Sequence, residues 1–258
     1  MELLAADVVA RFYTILWPML RISALMITAP IFALRAFNVR LRVLLAMLLA
    51  LMVYPMHTWP VIDPISAAGI KEIFNQIAIG AISGLILQMV AAAMVVAGQV
   101  IATSMGLAMA SLMDPNMGNV PVISQFLVVL GSLIFVGAGG HVILLGLILE
   151  SFHTLPIGTS IFSPESLGLL LRWSSMMFLG AVLISLPVMV AMLFINIGVG
   201  IITRAAPSLN IFSVGFPASV VVGFLILFAF LGSMIGRIDW LWVQSFSTLR
   251  ELLGVPRG

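Results

Sequence analysis

The chain has 258 residues, 62% of them hydrophobic and 8% charged, with a mean hydropathy of +1.26. A water-soluble domain carries roughly 25% charged residues, so the charge here cannot cover a water-facing surface, and lipid is the expected solvent. The formal charge of +2 comes from few ionisable groups, with no basic face of the kind phosphate contacts require, which argues against nucleic acid as a partner.

The N-terminus opens with Glu2 and Asp7 rather than a basic region, and no small-residue cleavage site follows. The first apolar run is therefore expected to be retained as its own insertion signal. That run extends from Phe12 to Leu34 and is followed by Arg35, Arg40 and Arg42. A second runs from Val43 to Trp59, where Tyr54 and Trp59 suit a membrane–water boundary. A short polar segment carries Asp63, Pro64, Lys71 and Glu72. From Ile73 to Met113 there is no formal charge, a stretch too long for one crossing, which needs about 20 residues. It reads as a span from Phe74 to Ala97, then a different segment broken by Gly98, Gln99, Thr103, Ser104, Gly106 and Ser111. Asp114-Pro115-Asn116 ends that segment as a turn.

Val122 to Ser151 is hydrophobic again, with Gly137-Ala138-Gly139-Gly140 at its centre. Two half-length helices and one glycine-kinked helix both fit. Phe152 to Arg172 reads as a connector outside the hydrocarbon. Met176 to Thr203 is a long span holding Pro187 and Asn196, Arg204 to Pro217 a turn-rich link, and Ala218 to Ile235 the last clear span. The tail, Asp239 to Gly258, has the pattern of an amphipathic helix at the interface or against a partner. The expected fold class is an all-α integral membrane protein of long, kinked hydrophobic helices and helical hairpins. Orientation stays open. The arginines after the first span favour a cytoplasmic connector, yet simple alternation then puts Arg237, Arg250 and Arg257 outside.

No enzyme motif is present. There is no phosphate loop with a lysine, no histidine pair at metal spacing and no nucleophile elbow. Cysteine is absent, which removes thiolate chemistry and disulfides. No catalytic residue, cofactor or metal is expected. Asp63, Glu72, Asp114, Glu150, Glu165 and Asp239 all fall at or near span ends, which counts against ion-coupled transport. His141 reads as a buried neutral histidine rather than a proton relay. Arg21 is the charge well inside an apolar span, where insertion costs about 2.5–3.5 kcal/mol. Contact with a carboxylate or backbone carbonyl of a neighbouring chain and snorkelling to an interface both fit.

Small residues are more informative. Gly80 and Gly84 form GxxxG, with Gln88 and Ala92 continuing the face, and Gly232 and Gly236 repeat the pattern. In lipid, helices associate through close packing and polar contacts rather than hydrophobic drive. Such faces serve packing within the chain or docking of partners. Met105, Met109, Met113 and Met117 recur every fourth residue in the segment that departs most from a plain span. They fit either a plug or constriction, buried in protein at membrane depth, or an ordinary span with methionine as filler.

The run Arg204-Ala205-Ala206-Pro207-Ser208-Leu209-Asn210-Ile211-Phe212-Ser213-Val214-Gly215-Phe216-Pro217 resembles the signature segment of the FliR family of the type III export apparatus. Arg21-Ile22-Ser23-Ala24, Ala29-Pro30-Ile31-Phe32, Gly98-Gln99-Val100-Ile101-Ala102 and Asp114-Pro115-Asn116 extend the resemblance over essentially the whole chain. The resemblance implies a core subunit of the flagellar export gate in the bacterial inner membrane at the basal body. Its implied partners are FliP and FliQ, with which it forms a closed helical hetero-oligomer, the FlhB-type export switch protein, membrane lipid and unfolded export substrates.

It also implies a FliP-like part over 1–172 and a FliQ-like hairpin with an amphipathic tail over 173–258. The pore plug would involve Met105, Gly106, Met109, Met113, Asp114, Pro115, Asn116, Met117, Gly118 and Asn119. Subunit packing would involve Arg21, Gly80, Gly84, Gln88, Arg204, Pro207, Asn210, Gly215 and Pro217. The alternatives are the equivalent subunit of a virulence injectisome, a self-contained transporter or channel, and a passive scaffold.

Overall fold

A computed structural model describes residues 2–32, 38–107, 122–205 and 215–256, with side chains from residue 11 onward. Among these the regular structure is helical, without strands: α1 (Glu2–Thr28), α2 (Val39–Val53) with a 3₁₀ turn (Tyr54–Met56), α3 (Ala67–Ser104), α4 (Val122–Gly137), α5 (Gly140–Thr154), α6 (Pro164–Ala205) and α7 (Phe216–Leu253). The chain is an all-α membrane protein, as its composition requires.

Helix ends follow local chemistry. Pro30 cannot donate to the helical ladder, and the chain leaves α1 just before it. The first helix therefore lies earlier than the apolar run from Phe12 to Leu34 suggests. Asn38 caps α2 by accepting from the Arg40 amide at 3.4 Å, and Pro55 turns the far end into the 3₁₀ turn. Between α4 and α5 the helix breaks at Gly139, whose φ of 71° is the left-handed conformation glycine tolerates. The glycine cluster thus makes two helices, settling the alternative that spacing left open.

Three sequence expectations change. Gly98 to Ser104 does not depart from the preceding helix, because α3 runs unbroken for 38 residues. The glycine there lets α4 approach closely rather than ending the helix. The connector after α5 is short, since Pro164 already opens α6. The amphipathic tail is not a separate element but the last part of the 38-residue α7, its Leu249, Leu252 and Leu253 buried within this chain.

Among the described residues four stretches are long and apolar enough to cross a membrane: Val39–Met56, Ala67–Ser104, Pro164–Ala205 and Phe216–Leu253. They become five if the broken pair α4–α5 is one span. At about 1.5 Å per residue, the 38, 42 and 38 residues of α3, α6 and α7 reach roughly twice the 30 Å of hydrocarbon. These helices are not simple crossings.

The chain folds as two compact units. Unit 1 comprises 1–89, 139–173 and 244–258; unit 2 comprises 90–138 and 174–243. Each has its own core. In unit 1 it includes Trp17, Ile22, Leu25, Met26, Ile79, Ile86, Leu144 and Ile148. In unit 2 it includes Met94, Ile101, Met105, Leu127, Phe135, Ile184, Met192 and Met234.

Candidate functional site

In unit 1 the chemistry gathers on Arg21, which is fully buried. Its Nε donates to Gln76 Oε1 at 2.7 Å, and one terminal nitrogen donates to the Ser151 carbonyl and hydroxyl, both at 2.9 Å. The other donates to the Leu155 carbonyl at 2.8 Å. Both carbonyls lie at the C-terminal end of α5, where the dipole favours a cation; the Ser151 carbonyl also accepts from the Leu155 amide at 2.9 Å. The guanidinium also lies 4.2 Å from the centre of the Phe152 ring, a cation–π contact.

The polar chain continues from there. Gln76 Nε2 donates to Glu72 Oε1 at 2.5 Å, and Asn75 Nδ2 donates to the same oxygen at 3.4 Å and to the Thr159 carbonyl at 2.6 Å. Asn75 Oδ1 accepts from the Ile161 amide at 3.2 Å. Glu72, Asn75 and Gln76 share one face of α3 by their spacing, and all three are buried. One network therefore joins α1, α3, the end of α5 and the following loop. Glu72, Asn75 and Gln76 went unnoticed as a group in the sequence, although their spacing at the start of the uncharged run is a legible signal.

The glycines of α3 belong to the same assembly. A Cβ on Gly80 would run into the Arg21 carbonyl oxygen, and one on Gly84 into the Thr28 hydroxyl. The Gly80–Gly84 face thus closes on α1 of this chain, and Arg21 spends its donors within the chain. Gln88, two turns beyond, is exposed. Gly232 and Gly236 are exposed on α7, and among the described residues nothing lies within 4 Å of where a Cβ would sit at either.

Unit 2 is built differently. Gly98 lies against the Ser124 backbone, and Ser124 Oγ donates to the Val95 carbonyl at 2.9 Å. Gly131 receives the Met94 sulfur, Gly180 the Leu241 side chain, and Gly223 the Met105 side chain. The Trp242 indole donates to the Gly131 carbonyl at 3.1 Å and stacks edge-on against Phe135 at 4.7 Å. At the C-terminus of α3, Asn196 of α6 donates to the Ser104 carbonyl at 3.0 Å, satisfying one of the orphaned acceptors there.

Two groups of sequence-selected residues meet at this point. Gly106 has a φ of 83°, which turns the chain out of α3, and the Phe216 ring of α7 lies beside it. Gly215, just before Phe216, is buried, while Pro217 is exposed in the first turn of α7, where a missing amide hydrogen costs nothing. Met105 is fully buried against Gly223. Among the suggested plug residues, Met105 and Gly106 are thus placed inside unit 2. Met109, Met113, Asp114, Pro115, Asn116, Met117, Gly118 and Asn119 lie outside the described residues, as do Pro207 and Asn210. Arg204 is exposed in the last turn of α6, where a cation complements the helix dipole.

The arrangement holds helices together, and among the described residues no group of three metal-ligating side chains converges. Residues 12–244 match the family described as bacterial export proteins, family 1. The chain belongs to that family.

Its relatives carry one name. The chain is 35% identical over 249 residues to flagellar biosynthetic protein FliR of Pectobacterium carotovorum subsp. carotovorum, covering 95% of this chain and 93% of that one. It is 32% identical to flagellar biosynthetic protein FliR of Escherichia coli K12 over 238 residues, covering 92% and 91%. With flagellar biosynthetic protein FliR of Bacillus subtilis 168 it shares 28% identity over 253 residues, covering 96% and 98%. This FliR-family chain is accordingly a membrane-embedded component of flagellar protein export.

Proposed function

We propose that the chain is the core subunit of the flagellar type III export gate in the bacterial inner membrane. It forms with FliP and FliQ the closed conduit for unfolded export substrates, with the FlhB-type switch protein as a further partner. The similarity over nearly the full length to flagellar biosynthetic proteins is the observation that carries this reading. The exposed apolar side chains of α6 and α7, among them Phe178, Val182, Leu186, Phe194, Leu225 and Phe228, support it. Faces of that extent on helices twice the hydrocarbon thickness suit neighbouring apolar helices as well as lipid.

On this reading the protein does no covalent chemistry, and export is energised elsewhere. The segment after Gly106 seals the conduit, and unit 2 fixes where that segment begins. The test is to purify the chain in mild detergent with and without co-expressed FliP and FliQ and to weigh the products by native mass spectrometry. A closed complex of defined mass containing one or more copies of this chain is expected. A monodisperse monomer, unchanged when the partners are present, would overturn the reading.

A further inference from the structure

We propose that His57 and His153 form a proton-sensitive latch, fastening the 3₁₀ turn that follows α2 to the last turn of α5. The two imidazole rings lie 4.1 Å apart, centre to centre, at an interplanar angle of 41°. Trp59 packs on His57 at 5.4 Å and Phe152 at 6.1 Å, while Trp59 and Phe152 meet edge-on at 5.4 Å. Trp59 is itself anchored, its indole donating to the Tyr54 carbonyl at 2.8 Å. Both ring nitrogens of His57 are shielded from solvent and make no hydrogen bond among the described residues. A neutral imidazole tolerates those surroundings, whereas an imidazolium there is penalised by its loss of solvation.

From α5, His153 is the titratable group whose charge His57 feels, and it opposes protonation. From α1, the permanent cation of Arg21 rests on the Phe152 ring, the same ring that touches His57. Glu72 of α3 accepts from Gln76, which in turn accepts from Arg21, so that carboxylate is engaged with the Arg21 network. On the segment itself, the Val53 carbonyl exerts a weaker opposing pull. Burial and His153 together hold the His57 pKa below its ordinary value. Protonation of both rings would place two cations in van der Waals contact. As the second proton arrives the rings separate, and the turn is released from α5. Histidine is the side chain suited to such a response near physiological pH.

The device is tested by hydrogen exchange over residues 53–59 in the complex purified with its partner subunits, at about pH 7.5 and about pH 5, corrected for intrinsic rates. Protection is expected to be lost at the lower pH, since the fold favours the neutral form of His57. His153→Phe keeps a ring in contact but removes the charge, and should diminish the acid response while the part due to burial of His57 remains. Equal protection in the unmodified complex, or an undiminished acid response in His153→Phe, would overturn the proposal. Should that variant fail to fold, carbon-13 titration of the unmodified full-length chain decides, since it has three histidines. Coupled titration of two of them, one displaced downward, is expected, whereas three independent titrations near the ordinary value of about 6.5 would contradict it.

Discussion

In unit 1 the ends of α1, α3 and α5 are tied by a buried guanidinium that donates to Gln76, Ser151 and Leu155. In unit 2 the helices close instead on glycine, methionine and an indole, through Gly98, Gly131, Gly223, Met94, Met105 and Trp242. The two solutions fail differently. A buried ionic network is directional and all-or-none, because removing one member strands the charges and carbonyls that remain. Apolar packing through small residues degrades by degrees, with flexible methionines absorbing part of any intrusion.

The largest expected effect therefore comes from Arg21. Arg21→Ala should destabilise the protein by about 3–5 kcal/mol, read as a loss of folded complex in a detergent-based denaturation series. Arg21→Lys should recover only part of it, since an ammonium cannot reproduce the planar fork that reaches three partners. If Arg21→Ala matched a conservative change in the unit 2 core, the contrast between the units would be lost. Next come the glycines. Gly80→Ala, whose new methyl meets backbone, should cost about 1–3 kcal/mol. Gly232→Ala, with open space around it among the described residues, should stay within about 0.5 kcal/mol when the isolated chain is measured. In the complex, a larger penalty for Gly232→Ala would mark that face as one covered by a partner.

Asn196→Ala should cost about 1 kcal/mol, the value of one hydrogen bond to the end of α3. A smaller effect is expected from pH. The His57 pKa is lowered in the folded protein, so its neutral form is the one the fold favours. The corresponding stability is fully present above the ordinary histidine value of about 6.5 and is lost as pH falls through the folded value. His57→Phe should flatten that part of a stability-against-pH curve.

Much of this was legible in the residues. Low charge and long apolar runs imply a helical membrane protein, and the Arg204–Pro217 run carries the family resemblance. Pro30, Pro55 and Gly139 mark helix breaks for reasons intrinsic to proline and glycine. Less legible was what tertiary packing decides. Gly98 looks like a breaker in sequence, but α4 fills the space above it, so α3 continues. Arg21 looks like a group in need of a neighbouring chain, yet its acceptors come from residues 55 to 134 positions away, a separation no periodicity reveals. Met105 shares the four-residue spacing of the methionine stripe, yet it is buried in unit 2 against Gly223. Spacing alone cannot separate a core methionine from one that faces a conduit.

On the proposed function, unit 2 anchors the start of the sealing segment through Met105 in the notch at Gly223, and through Asn196 on the Ser104 carbonyl. Gly223→Leu fills the notch and tests it directly, by ion leakage across vesicles holding the assembled complex. The account predicts leakage well above that of the unmodified complex while native mass spectrometry still finds the complex whole. Leakage equal to the unmodified level in an intact complex would contradict it.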